Sequence, residues 1–208
     1  MPAPHRLACT CGRLTGEVDA AVTNRGVCYC KDCQAFAHFL GRADEILEAR
    51  GGTDIVQTAP QALRFTGGLE SLACVRLTRG GLMRWYAACC NTPIGNTSPN
   101  YRLSFVGLVH MCLVDPAQSL DEAFGESRMR VHTASALGDP KPVGSGVLQA
   151  ALRLGAMMLQ ARFSGAYRRT PFFSGDGVPA VAPRVLTDEE LRAVMAKVSS
   201  SRAPAATT

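Results

Sequence analysis

Seven of the nine cysteines in this chain of 208 residues fall into three short groups, and these groups are the first indication of chemistry. The groups read "CTCG" at 9–12, "CYCKDC" at 28–33 and "CC" at 89–90. A C-x-C or C-x-x-C spacing lets two thiolates turn toward one ion, and thiolates are favoured ligands of Zn²⁺. The spacing therefore predicts metal ligands at Cys9, Cys11, Cys28, Cys30 and Cys33, and the adjacent pair Cys89 and Cys90 gives two further candidate ligands.

The remaining two cysteines, Cys74 and Cys112, each stand alone in an apolar stretch, so we expect them to pack in the core. An odd number of cysteines in a reducing compartment argues against a disulfide framework. A redox switch is a further hypothesis for "CYCKDC", because a thiolate beside Lys31 could be oxidised to a disulfide with a neighbouring cysteine.

The elements that must position these cysteines are short strands broken by turns, from about residue 7 to residue 115. The stretch 72–88, "LACVRLTRGGLMRWYAA", predicts a hairpin, because its Gly pair suits a tight turn between β-favouring flanks. Strands are also predicted within 13–22 and 62–68, and 101–115 reads as a strand pair or one long strand. The sequence therefore predicts a mostly antiparallel β region.

After residue 115 the pattern becomes helical. One helix is predicted from Val147 onward, and a second is predicted to begin at Thr187, with Glu190 completing a capping box. We expect the "TPFF" segment at 170–173 to anchor the connector between the two helices. We expect one apolar face of the first helix to pack on the β region; it consists of Val147, Leu148, Ala151, Leu152, Met158 and Leu159.

These patterns divide the chain into three parts. A zinc-binding β domain is expected at 5–115, an extension with two helices packed on it at 116–198, and a disordered tail at 199–208. Hydrophobic residues make up 47% of the chain and charged residues 19%, which is typical of a globular protein.

Charge and hydropathy favour a soluble cytoplasmic protein that binds neither nucleic acid nor membrane. The net charge of +5 comes from scattered basic residues, mostly arginine, and not from a basic tract. No signal-peptide pattern is present at the N-terminus. The longest apolar stretch, 146–161, contains Arg153 and is shorter than the roughly 18 to 20 residues that cross a bilayer.

The cysteine motifs, taken in order, resemble those of the glutathione-dependent formaldehyde-activating enzyme and centromere protein V family. They are "CTCG" at 9–12, "CYCKDCQAF" at 28–36 and "RWYAACCNTPIG" at 84–95, and the resemblance covers about residues 5–115. It implies a β-tent fold of antiparallel sheets with two zinc sites. By this resemblance, one zinc is structural, and the other is labile and catalytic, held by Cys28, Cys30 and Cys33.

The sequence departs from the family at the structural site. When Tyr86, Thr92 and Pro93 are aligned with the family motif, Ala87 stands where a cysteine is expected. The site then keeps Cys9, Cys11 and Cys90, and its fourth ligand is open. Three outcomes are compatible with the sequence: ligation by Cys89, a site with three thiolates, or a turn held by packing without metal.

The resemblance implies a carbon–sulfur lyase that condenses formaldehyde with glutathione. Three thiolates lower the Lewis acidity of zinc and favour a soft sulfur ligand, which fits glutathione or its S-hydroxymethyl adduct. The alternatives are a non-catalytic zinc-stabilised binding module, as the centromere relatives suggest, and the redox switch. A homodimer is compatible with the sequence, which does not determine the oligomeric state.

Overall fold

The computed structural model describes residues 4–19, 22–113 and 115–201, and these residues form a mainly β fold with two sheets, which confirms the predicted fold class. The smaller sheet has the strand order β1-β2-β5, formed by His5–Ala8, Thr15–Val18 and Leu63–Gly67. The larger sheet has the order β10-β3-β4-β9-β8-β7-β6-β11. Its strands are β3 (Val22–Cys28), β4 (Thr53–Thr58), β6 (Leu72–Arg76), β7 (Met83–Ala87), β8 (Thr92–Thr97), β9 (Val106–Val109), β10 (Met129–Val131) and β11 (Arg184–Val185).

The C-terminal part of the chain completes the larger sheet at both of its edges. Strand β10 pairs with β3, strand β11 pairs with β6, and both pairings are parallel. All other pairings in the two sheets are antiparallel. The sequence did not indicate these two edge strands, because two or three residues are too few to show an alternating pattern.

The hairpin predicted at 72–88 is present as β6 paired with β7. The prediction for 101–115 is wrong, because β9 is the only strand among the described residues of this range and a 3-10 turn at His110–Cys112 follows it directly. The Cys112 thiol lies 3.2 Å from the carbonyl oxygen of Val109 and 3.3 Å from that of Ile94. These two contacts hold the turn against the neighbouring strand and help to end β9.

A single aromatic cluster joins the connector of the C-terminal part to the β core. Phe172 is fully buried, and its ring centroid lies 5.0 Å from that of Trp85 in β7 and 5.8 Å from that of Phe65 in β5. Phe173 is also buried, 6.1 Å from Trp85. The "TPFF" segment is therefore an anchor, as predicted, and it packs in the same core as the strands.

The helices are α1 (Lys31–Phe39), α2 (Ala43–Ile46), α3 (Leu120–Phe124), α4 (Val147–Phe163) and α5 (Asp188–Ser200). The predicted capping box of α5 is confirmed, because the Thr187 side chain accepts from the Glu190 N–H and the Glu190 carboxylate accepts in return. Helix α5 extends two residues into the predicted tail, and 202–208 lie outside the described residues. In the described ranges, no helix is both long and apolar enough to cross a membrane.

Helix α4 packs on the β region, against β3 and β10, but not through the predicted face. The face expected to pack on the sheets is largely exposed, with Leu148, Leu152 and Leu159 between 59% and 75% accessible. The helix instead buries two small residues, Ala150 and Ala161. Since α4 carries apolar residues around most of its circumference, the sequence period did not indicate which side faces the sheet.

Candidate metal centres

Two hairpin turns that are distant in sequence bring four cysteines together, and we call Cys9, Cys11, Cys89 and Cys90 the four-thiol group. Cys9 and Cys11 lie in the turn between β1 and β2, and the other two lie in the turn between β7 and β8. The Sγ–Sγ distances are 3.5 Å from Cys9 to Cys11, 3.8 Å from Cys9 to Cys89 and 3.3 Å from Cys11 to Cys89. All four sulfurs lie within 4.8 Å of one another.

These distances fit a tetrahedral metal site. Four sulfurs at about 2.3 Å from one zinc ion stand about 3.8 Å apart, so little movement would be needed to admit the ion. Cys89 takes the place left open at Ala87, with its Sγ 3.7 Å from that of Cys90. Asn91 closes this turn in the left-handed conformation, with φ at 54°.

A partly buried set of polar contacts, centred on Arg42, fixes the turn that carries Cys90. The Nη1 atom of Arg42 donates to the Cys90 carbonyl oxygen at 3.0 Å, to Thr92 Oγ1 at 3.1 Å and to Thr10 Oγ1 at 2.9 Å. Burial alone would raise the pKa of Cys90, but hydrogen bonds to Thr10 and Thr92 lower that pKa to about 5. The surroundings of Cys90 therefore favour the thiolate form that a metal requires.

The second cluster is the three-thiol group, formed by Cys28, Cys30 and Cys33. Cys28 ends β3, Cys30 caps the N-terminus of α1, and Cys33 lies in the first turn of that helix. The Cys33 N–H donates to Cys30 Sγ at 3.4 Å, and the Sγ atoms of Cys28 and Cys33 lie 3.8 Å apart. A thiolate at a helix N-terminus is stabilised by the free N–H groups and by the helix dipole.

A buried arginine that the sequence reading missed lies beside the three-thiol group. The side chain of Arg84 in β7 is 2% exposed, and its Nη1 atom lies 3.9 Å from Cys33 Sγ and 3.1 Å from Asn96 Oδ1. The guanidinium also lies over the Phe36 ring at 5.4 Å. Hydrogen bonds to Cys28 and Cys30, together with the charge of Arg84, hold the pKa of the Cys33 thiol well below its usual value.

A charged residue between Met83 and Trp85, in a strand that is otherwise apolar, was the signal that could have identified Arg84. Burying an unpaired guanidinium is costly, so a charge in such a strand usually has a partner. Asp32, whose Oδ2 lies 3.8 Å from Arg84 Nη2, is 63% exposed and compensates that charge only in part. The guanidinium also contacts Asn96 Oδ1 and Cys33 Sγ, the thiol of this group whose pKa is lowered.

Residues from the C-terminal part contact the three-thiol group. Met129 and Val131 of β10 and Ala150 of α4 pack around these cysteines together with Ile55. Asn24 of β3 donates a buried hydrogen bond to the Ala150 carbonyl oxygen at 3.0 Å. The surroundings of this cluster are thus completed by residues outside 5–115, the region that resembles the known zinc family.

His38, the histidine nearest in sequence to the three-thiol group, does not belong to either cluster. His38 lies on α1 in a shallow groove with Asp44 and Leu47, and burial, with a smaller effect of Lys197, lowers its pKa. Within the described residues, the sites with three or more converging potential metal ligands consist of cysteine alone. Cys74 and Cys112 are buried in the core, as predicted.

Comparison with known proteins gives a family without an assigned function. The model of a family described as "Family of unknown function (DUF6151)" matches residues 1–181. A crystal structure of a Rhodobacter sphaeroides protein is similar at 18% identity and a TM-score of 0.38, covering 54% of this chain and 92% of that one. No curated protein matches the chain. Neither match names the glutathione-dependent formaldehyde-activating family.

Proposed function

Since the chain belongs to DUF6151, a family of unknown function, we propose from its own cysteine groups that it is a zinc-dependent carbon–sulfur lyase acting on glutathione or a glutathione–aldehyde adduct. The observation that carries the proposal is the difference between the two groups. One offers four thiols and the other offers three thiols beside a buried cation. Four protein ligands are typical of a closed structural zinc site, and three are typical of a site that accepts a further ligand.

The four-thiol group is assigned the structural role. It would hold one zinc ion between the β1–β2 turn and the β7–β8 turn, which are about eighty residues apart in sequence. Arg42 fixes the second of these turns by its bond to the Cys90 carbonyl oxygen, independently of any metal. This site would stabilise the contact between the two sheets.

The three-thiol group is assigned the reactive role. Zinc bound there would supply a Lewis-acidic position that a soft substrate sulfur can take. Three thiolates around Zn²⁺ leave a net negative charge, and Arg84 provides a compensating positive charge 3.9 Å from Cys33. The same charge would favour the thiolate form of an incoming thiol. Met129, Val131 and Ala150 would exclude water from one side of the site.

The reaction proposed is the reversible addition of glutathione to formaldehyde. The thiol gives up its proton, its sulfur forms a bond to the carbonyl carbon as the π bond of the carbonyl breaks, and the carbonyl oxygen takes up one proton to give the hydroxymethyl product. No electrons are exchanged, and no further reactant is needed. A reducing cytoplasm would supply glutathione and keep the seven clustered cysteines as thiols.

The first experiment compares two cysteine variants for metal content. Elemental analysis of reduced wild-type protein should give two zinc equivalents per chain. Cys30→Ala should lose about one equivalent with the fold retained, while Cys74→Ala, which removes a buried core thiol, should keep both. Equal metal content in the two variants would contradict the assignment of the three-thiol group.

The second experiment separates metal binding from the chemistry. Exchange NMR on a mixture of glutathione and formaldehyde measures the rate of adduct formation at equilibrium, and wild-type protein should accelerate the exchange while Cys30→Ala should not. If zinc is bound without acceleration and without any effect of glutathione, the binding module replaces the enzyme. If purified protein carries no zinc at the three-thiol group and forms a reversible disulfide there, the redox switch replaces it.

A further inference from the structure

The outward side of α4 carries a stripe of large apolar residues at helical spacing, and we call Leu148, Leu152, Gly155, Leu159 and Phe163 the α4 outer face. The four large side chains are 75%, 67%, 59% and 87% exposed, respectively, in chain order. Steps of four, three, four and four residues place these positions in one row along the helix. Ala150 and Ala161, the two buried residues of α4, lie on the opposite side of the helix.

Gly155 at the middle of this face has no role within the chain that would require glycine. A Cβ atom built there meets nothing within 4 Å, and its φ is not in the left-handed region. A glycine inside a helix costs about 0.5 to 1 kcal/mol relative to alanine. Glycine at the centre of an apolar helix face is, however, suited to the close approach of a second backbone.

We propose that the α4 outer face is the interface of a two-fold symmetric homodimer, in which α4 of one protomer packs antiparallel on α4 of its partner. A two-fold interface requires that residue i contacts j while j contacts i. The sequence of the face meets this requirement about a point between Gly155 and Ala156. Leu148 then opposes Phe163, Leu152 opposes Leu159, and Gly155 opposes Ala156 at the crossing point.

The exposed area comes close to what such a dimer needs. Given the exposed fractions, the four large side chains of the face present on the order of 500 Å² per chain, taking about 150 to 200 Å² for each fully exposed side chain. Complete burial on two chains would remove about 1,000 Å² there, and flanking Ala151 would add to it, so the interface lies near the lower limit of roughly 1,200 Å² for stable interfaces.

The charges on α4 are compatible with this pairing. The helix contains no acidic residue, and its two arginines are Arg153 and Arg162. In the same register Arg162 opposes Gln149 of the facing helix, so no like charges are placed directly against each other. An anionic membrane could also receive an apolar face with flanking arginines, but it would require neither the matched Leu152 and Leu159 nor a central glycine.

The experiment uses two charge variants of the full-length chain, with mass measured by light scattering after size exclusion. Wild type should be a dimer at micromolar concentration, and Leu152→Lys and Leu159→Glu should each raise the dimer dissociation constant on the order of 100-fold. An equimolar mixture of the two variants should form a 1:1 heterodimer, because it gains one Lys–Glu pair and keeps one Leu–Leu pair. Recovery in the mixture would also prove that both variants are folded.

Two further variants complete the design. Leu103→Glu, at a leucine that is 47% exposed elsewhere on the surface, should leave the dimer unchanged. Gly155→Leu should prevent dimerisation and raise helix propensity at the same time. The proposal is overturned if wild type is monomeric at 100 µM, if Leu152→Lys remains dimeric, or if the mixture stays monomeric. A monomer that binds phosphatidylserine vesicles through Leu152 would assign the face to a membrane instead.

Discussion

Replacing Arg84 by methionine removes the buried positive charge beside the three-thiol group while keeping an unbranched side chain of similar length. Its Nη1 atom lies 3.9 Å from Cys33 Sγ, and the side chain is 2% exposed, so solvent screens this contact only weakly. We predict that Arg84→Met weakens zinc binding at the three-thiol group and leaves the four-thiol group unchanged.

The magnitude follows from the distance and the environment. Two unit charges at this separation interact by about 4 kcal/mol at an effective dielectric constant near 20. The negative charge of a zinc ion with three thiolates is spread over three sulfurs, and the nearby carboxylate of Asp32 already offsets part of the arginine charge. We therefore expect the zinc dissociation constant to rise about 10-fold to 100-fold, the range typical of residues that support metal ligands.

The assay is a competition titration with a chromophoric zinc chelator, which resolves two classes of site by affinity. Cobalt substitution gives a second readout, because the charge-transfer absorption reports how many thiolates bind each ion. Arg84→Lys should recover part of the affinity, since it keeps the charge but loses the hydrogen bond from the planar guanidinium to Asn96 Oδ1. Arg42→Met is the matched control, because Arg42 holds the turn of Cys90 and should weaken only the four-thiol group.

The electrostatic role of Arg84 fails if Arg84→Met changes both sites equally, since that result would indicate a general loss of packing around β7. It also fails if Arg84→Met binds zinc as tightly as wild type at the three-thiol group. In that case the guanidinium would be held there by Asn96 and Phe36, and the thiols would not need its charge.

Three further predictions concern the four-thiol group, the pH dependence and α5. Cys89→Ser should remove about one zinc equivalent and lower Tm on the order of 10 °C; retention of two equivalents by elemental analysis would exclude Cys89 as a ligand. The pKa of His38 in the folded chain lies below 6.5, mainly because of burial, so protonation favours unfolding and stability decreases as the pH drops below about 6.5. Urea unfolding at pH 7.5 and 5.5 should show a smaller pH effect for His38→Gln than for wild type, and an identical pH effect would refute this account. Thr187→Ala should cost about 1 kcal/mol by loss of the α5 cap, and an unchanged urea midpoint would show that this cap adds nothing to global stability.

The sequence alone was sufficient for features that depend on near neighbours. The spacing of Cys28, Cys30 and Cys33 predicts one cluster because a strand end and the first helical turn bring these residues together without help from the rest of the chain. The hairpin at 72–88 and the capping box of Thr187 are likewise local, and both were predicted correctly. In each case the interacting groups lie at most 15 residues apart in sequence.

The tertiary structure decided every feature that joins distant segments. Whether the thiols of Cys89 and Cys9 lie close together depends on how two turns about eighty residues apart in sequence pack on each other. No local sequence pattern predicts that packing. The place of Arg84 beside Cys33 depends on how β7 lies under α1. The orientation of α4 was wrongly predicted because a helix that is apolar on several sides can bury any of them. Several apolar surfaces could have packed on the sheet, and only the folded chain shows which of them did. That choice set the surroundings of the three-thiol group and left the α4 outer face exposed.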